Sequence, residues 1–276
     1  MAIKFGSCEW GLPITGPIAV TLAAELGYDG LQLSDCGGAK MQYPLNNPRI
    51  QDAYLDAAVK GGVKFGSLHL RSVFQDNSID EPAGTPLGEL FIESVSKSIM
   101  AAVQMKIPEI MIAAIIKDKN KTLNLIENLR KACEKANESG IILTAETNQD
   151  NEGNFYLFNE VGSGMRLCFD SCNPYLYDNG NPGEMLKEDM EKSPGLISHY
   201  HFKDTRTEDF HAGRPAPCFM GTGGSDLKTQ AEMIKQSGYD GWIYDETYYF
   251  ARPINDGGDF MKIAGENLKE FRGLFE

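Results

Sequence analysis

The chain predicts an α/β fold, a (β/α)8 barrel, on three observations. Eight short apolar runs alternate with eight longer stretches of helical spacing across all 276 residues. No linker or shift in composition interrupts them, so 1–276 reads as a single domain. The length also suits one such barrel, typically about 250 residues. A doubly wound open sheet is the alternative. It would need a phosphate-binding glycine turn after the first strand, and "SCEWGLPITG" offers no GxGxxG.

In chain order, the first run is 3–8 (IKFGSC), followed by helical spacing over 16–26. The second is 30–34 (GLQLS), with a helix expected over 48–60. The third, 63–69 (VKFGSLH), leads through a polar stretch to helical spacing at 88–105. Runs at 108–114 (PEIMIAA) and 141–147 (IILTAET) precede helices at 120–138 and 155–161. Runs at 165–170 (MRLCFD), 196–203 (LISHYHFK) and 241–246 (GWIYDE) precede helices at 183–192, 226–237 and 258–274. The handoffs "ELGYDG", "VKGGVKF", "NESGII" and "QSGYDGW" fit glycine C-caps that release a helix into the next strand. The polar segment 71–90 is long for a βα loop and is a candidate lid over the barrel mouth.

Composition narrows the function. A net charge of −13 disfavours a nucleic-acid backbone and an anionic membrane as partners. No apolar stretch reaches the roughly 18 residues of a membrane span. The start, "MAIKFGSCEW", lacks the charged and apolar regions of a secretory signal. The six cysteines form no CxxC, and several fall in predicted strands, where a reduced buried thiol is expected. Together these predict a cytoplasmic protein.

Strand alternation then separates two faces. Leu143 and Ala145 oppose Thr144, Glu146 and Asn148. Leu167 and Phe169 oppose Arg166, Cys168 and Asp170. Tyr200 and Phe202 oppose His199, His201 and Lys203, while Leu31 and Leu33 oppose Gln32 and Ser34. Glu246 shares a face with Trp242 and Tyr244. The apolar set belongs against the helices, and the inward set turns polar towards the C-terminal strand ends, where barrel enzymes keep their active sites. Glu146, Asp170, His201 and Glu246 should therefore converge. Three carboxylates aimed at one place repel one another unless a cation neutralises them. With one imidazole they suit an octahedral divalent ion with open positions, Mn²⁺ first, with Mg²⁺, Co²⁺ or Zn²⁺ as alternatives.

The strand-end Glu of "AETN", the Asp of "CFDSCN", the second His of "HYHFKD" and the Glu of "YDET" resemble the metal quartet of the xylose isomerase-like TIM barrel superfamily. The nearest in style is its sugar phosphate isomerase/epimerase group, which includes ketose 3-epimerases, hydroxypyruvate isomerase, and inosose isomerases and dehydratases. The likeness runs from "ELGYDGLQL" to "SGYDGWIYDE". It implies that Glu146, Asp170, His201 and Glu246 bind one metal and that Glu146 and Glu246 also flank the substrate carbon, one as base and one as acid. The reaction implied is isomerisation or epimerisation of a small sugar, ketose or related polyol ketone through a metal-stabilised enediolate. A dehydratase of inosose or dehydroshikimate type, and a non-catalytic or partner-dependent sugar-binding barrel, are the alternatives.

Two departures from the family pattern stand out. Asn173 occupies the place where many relatives carry a substrate-contacting His. "GTGGSD" (221–226) replaces the usual strand-seven exit. Trp10, His69, Arg71, Asn173 and Lys203 are the substrate-contact candidates, and a homodimer is expected. A DNA-repair nuclease on a similar barrel would need several more histidines than the four present, and a basic face. Structural readings compete at other positions. His199 reads as a core histidine, "GTGGSD" as a plain turn with Ser225 or Asp226 capping the next helix in place of a phosphate cradle, and His211 as an exposed loop residue. Thiolate ligation by Cys168 or Cys172, which flank Asp170, is a minority reading.

Overall fold

Each of the eight predicted runs forms a strand. The computed structural model describes residues 3–162, 164–177 and 179–276. The strands are β1 (Lys4–Cys8), β2 (Gly30–Ser34), β3 (Lys64–His69), β4 (Glu109–Ala114), β5 (Ile142–Thr147), β6 (Arg166–Asp170), β7 (Ile197–Phe202) and β8 (Trp242–Asp245). They form a closed barrel in sequence order, which removes the open-sheet alternative.

The long helices are α1 (Pro17–Leu26), α2 (Pro48–Gly61), α4 (Pro86–Met105), α5 (Thr122–Glu138), α6 (Asn151–Val161), α8 (Pro182–Lys192), α10 (Leu227–Gln236) and α11 (Phe260–Gly273). Single-turn helices α3 (Ser72–Gln75), α7 (Asn173–Leu176) and α9 (Thr207–Phe210) lie in the loops after β3, β6 and β7. No helix among the described residues is long and apolar enough to cross a membrane.

Helix starts follow local chemistry. Thr85, Asp150, Asn181 and Asp259 each accept a hydrogen bond from a main-chain N–H in the first turn of α4, α6, α8 and α11. Proline opens α1, α4 and α8, where its missing N–H costs nothing. The Asp150 cap explains why α6 begins at Asn151 and not at 155: its first turn, Asn-Glu-Gly-Asn, is polar and carries no apolar period. The predicted glycine stops hold, as at Gly27 (φ 95°) and Gly238 (φ 73°), a conformation a Cβ would disfavour.

Two compact units divide the chain. One comprises the chain up to Gln32, Ala58–Lys64 and Phe169–Glu276; the other is Leu33–Ala57 and Phe65–Cys168. In the first, β1 pairs in parallel with β2 (Gly6↔Gly30) and β8 (Gly6↔Tyr244), and β7 pairs with β8 (His201↔Tyr244). Its interior is filled by the stacked rings of Trp242 and Tyr244, 5.6 Å apart. Two glycines make room for them. A Cβ on Gly6 would meet the Tyr244 ring at 2.4 Å, and one on Gly30 would meet Lys64 O at 2.2 Å and the Trp242 ring at 2.5 Å. Outside, Phe5 and Phe202 pack on Phe271 of α11, with centroids 5.1 and 5.8 Å apart.

Behind β8 the buried Asp245 carboxylate accepts from Tyr28 Oη (2.5 Å), Tyr249 Oη (2.6 Å) and the Thr247 amide (2.8 Å). Burial raises its pKa, and these donors oppose the rise. Asn267 of α11 joins the network through Tyr249 Oη at 2.8 Å.

In the second unit, β3, β4 and β5 pair in register and β5 reaches the start of β6. The candidate lid segment is tied down here. Asn128 of α5 donates to the carbonyls of Ile79 (2.9 Å) and Glu81 (2.8 Å), and Lys121 pairs with Glu81. Ser78 and Ile79 are buried. This stretch is an anchored loop.

Gly30→Ala should cost about 3 kcal/mol, because main chain cannot yield as a side chain can. Gly265→Ala in α11, whose new methyl would sit 3.9 Å from Leu26, should instead gain roughly 0.5–1 kcal/mol. Thermal unfolding of the two variants should shift in opposite directions; equal shifts would contradict this account of the packing.

Candidate metal centre

Four strand ends deliver the quartet. Glu146 is the penultimate residue of β5, Asp170 ends β6, His201 is penultimate on β7, and Glu246 follows β8 directly. All four are buried, between 0 and 6% exposed. One ligand atom from each lies within 4.8 Å of the others. The donor set is three carboxylate oxygens and one imidazole nitrogen, which fits a hard divalent cation. The His201 Nδ1–Glu246 Oε2 separation is 3.7 Å, too long for a hydrogen bond. Two ligands about 2.2 Å from a shared ion would lie roughly 3–4.4 Å apart, depending on their angle.

Asp170 is aimed by the chain that follows it. Its Oδ1 accepts from the main-chain amides of Cys172 (2.8 Å) and Asn173 (2.6 Å). Asn173 thus acts here through its backbone, at the first residue of α7. Lys203, one residue past β7, bridges two of the acids, with Nζ 2.9 Å from Asp170 Oδ2 and 2.5 Å from Glu246 Oε2. Trp10, in a single 3-10 turn after β1 (Glu9–Gly11), donates its indole N–H to Glu246 Oε1 at 2.8 Å. Tyr248 Oη donates to the same oxygen at 3.3 Å. Burial works against the Glu246 charge, yet the Lys203 ammonium and the Trp10 N–H together hold this carboxyl well below the usual range. Glu246 is therefore ionised at neutral pH.

The remaining candidates fall as follows. His69 ends β3 and is buried, and Arg71 is the half-buried residue before α3. His199 lies deeper on β7, 2% exposed, packed edge-on against Tyr244. His211 is exposed beside Tyr175. All six cysteines are free thiols. Burial, with Asp170 nearby, pushes the Cys172 thiol up to about 11, which disfavours a thiolate. Cys168, His199 and His201 form a second buried group with ligand atoms within 4.8 Å, but it lacks carboxylates to balance a dication.

"GTGGSD" is a turn and not a phosphate cradle. Its amides point at the buried Asp204 carboxylate: Gly223 N at 2.8 Å, Gly221 N at 3.0 Å and Ser225 N at 3.2 Å. The expected cap differs, since no side chain caps α10, and Asp226 stands before it at φ 49°. A cavity of about 480 Å³ opens beside Lys203 and Glu246, with mostly apolar walls that include Tyr177, Tyr248 and Phe250. Tyr248 and Gln32 are contacts that sequence reading did not assign. Gln32 was legible only as an inward position; its partners come from other strands.

Removing Lys203 leaves two buried carboxylates without their counter-charge. Lys203→Met, freed of metal by chelation, should lose on the order of 3 kcal/mol of stability, and Mn²⁺ should raise its melting temperature more than that of the parent. Equal stability in the two chelated proteins would show that the ammonium does not balance these acids.

The family model described as xylose isomerase-like TIM barrel matches residues 20–267. A 2-epi-5-epi-valiolone 7-phosphate 2-epimerase from Actinoplanes sp. is 26% identical over 209 residues, covering 74% of this chain and 73% of the relative. Among solved structures, a D-tagatose 3-epimerase-like protein superposes with a TM-score of 0.74 at 17% identity, covering 99% of this chain and 98% of the other. D-allulose 3-epimerase from Methylomonas sp. gives 0.72 at 14% identity, with 99 and 100% coverage. At those identities the structures establish the fold alone. With the family model spanning nearly the whole chain, this protein belongs to the xylose isomerase-like TIM barrel family.

Proposed function

We propose that the chain is a divalent-metal-dependent epimerase or isomerase of a small sugar, ketose or related polyol ketone. The observation that carries the reading is the buried Glu146–Asp170–His201–Glu246 cluster, with its four ligand atoms within 4.8 Å, opening at Glu246 onto a ligand-sized cavity. The epimerases among the related proteins support it.

In this reading the four residues hold one cation, Mn²⁺ first. When bound, it would act as a Lewis acid that polarises a substrate carbonyl. The proteinaceous part of the chemistry is proton transfer at the adjacent carbon. Glu146 and Glu246 flank that carbon, one as base and one as acid. Lys203, 2.5 Å from Glu246, moderates its basicity and offers an ammonium to substrate oxygen. Trp10 and Tyr248 fix which Glu246 oxygen faces the reacting carbon, since both donate to Oε1. Asn173 and the aromatic walls of the cavity receive the rest of the substrate. His69 and Arg71 are further contact candidates.

The test is solvent exchange. In D₂O with Mn²⁺, the protein should place one deuterium on the carbon beside the carbonyl of an accepted ketose. Glu146→Gln and Glu246→Gln should each slow this by about 10²–10⁴-fold. Chelation should stop the reaction, and Mn²⁺ should restore it. Unchanged exchange in both variants would refute the two-glutamate mechanism, and a product lighter by one water would identify a dehydratase.

A further inference from the structure

Ligation through His201 Nδ1 requires a lone pair on that atom and hence a proton on Nε2. The imidazole alone does not guarantee this, because its two neutral tautomers are close in energy. The surroundings of Nε2 decide it. Gln32 of β2 places Oε1 2.6 Å from His201 Nε2. The same oxygen accepts from the Cys8 thiol at 3.5 Å. The Gln32 amide nitrogen lies 3.3 Å from His199 Nε2. An amide NH₂ can only donate, so His199 Nε2 accepts and its proton sits on Nδ1. With its carbonyl end towards His201 and the Cys8 thiol, Gln32 can only accept there, so His201 must donate its Nε2–H. Cys8, Gln32, His199, His201 and Tyr244 are all between 0 and 2% exposed, and Tyr244 packs edge-on against both histidine rings. Water does not compete for these positions.

We infer that Gln32 is a positioning residue: through the chain His199–Gln32–His201 it fixes the Nε2–H tautomer of His201 and directs the Nδ1 lone pair to the metal position. The inference rests on the metal reading above and adds the group that orients its only nitrogen ligand. The reverse orientation of the amide would put its NH₂ on His201, move the imidazole proton to Nδ1 and block ligation. The Cys8 thiol opposes that reversal, because its S–H donates to Oε1 and would face the amide NH₂ instead.

Two measurements test this on the intact chain. In metal-free protein labelled with ¹⁵N-histidine, long-range ¹H–¹⁵N spectra should show His201 protonated on Nε2, its signals assigned by their loss in His201→Ala. Gln32→Met, similar in volume but without an acceptor, should shift His201 towards mixed tautomers. It should also weaken Mn²⁺ binding, measured calorimetrically, by about 10–100-fold. Gln32→Glu keeps an acceptor on His201 and should bind within roughly threefold of the parent, well inside that loss. A parent His201 protonated on Nδ1, or Gln32→Met binding as tightly as the parent, would overturn the inference. If the parent takes up no divalent cation, the metal reading fails separately, and the parent spectrum still decides the tautomer. Should Gln32→Met not fold, the parent spectrum and the affinity of Gln32→Glu decide it: Nδ1 protonation, or a loss of tenfold or more in Gln32→Glu, counts against it.

Discussion

Balancing negative charge at one buried point is the constraint on which the rest of this structure depends. Glu146, Asp170 and Glu246 bring three carboxyl groups together with almost no exposure to water. An isolated buried carboxylate costs far more than any packing gain at the same position. The chain answers with Lys203 on two of the acids, main-chain amides on Asp170, and the Trp10 and Tyr248 donors on Glu246. A divalent cation would supply the remaining positive charge. The site is thus organised as an electrostatic cage, and the strand ends are its frame.

The frame is filled inside by close-packed rings. Gly6 and Gly30 leave the space that Trp242 and Tyr244 occupy, and Tyr244 in turn packs against His199 and His201. Another buried carboxylate, Asp204, organises the loop after β7 by drawing three of its amides inward. The walls of the cavity beside Glu246 come from the loops after β6, β7 and β8. In the proposed reading, chemistry and specificity reside in different parts of the chain: the strand ends hold the reacting groups, and the loops shape the room for the substrate.

The period of two along each strand is why so much of this was legible. His199, His201 and Lys203 alternate with Tyr200 and Phe202, and no other pattern would bury the aromatic pair while turning the imidazoles inward. The same alternation puts Glu146 and Asp170 on the inward face of their strands. What stayed illegible depends on approach between distant elements. Nothing in "GLQLS" says that Gln32 reaches both histidines of β7, and nothing in "DETYY" says that Tyr248 turns back onto Glu246. The "GTGGSD" loop shows the same limit. Its glycines suit a phosphate cradle or a turn equally well, and only the position of Asp204, seventeen residues before Gly221, decides between them. The early start of α6 was hidden because a capping aspartate and a polar first turn carry no apolar signal.

The central claim is that the four converging side chains hold one divalent ion. Elemental analysis tests it most directly, on protein purified without chelator and again after loading with Mn²⁺, beside His201→Ala and Asp170→Ala. The account predicts about one divalent ion per chain in the parent and its loss in both variants, since an octahedral site missing one of its protein ligands binds far more weakly. No bound metal in the parent under either condition, or an unchanged content in both variants, would contradict it.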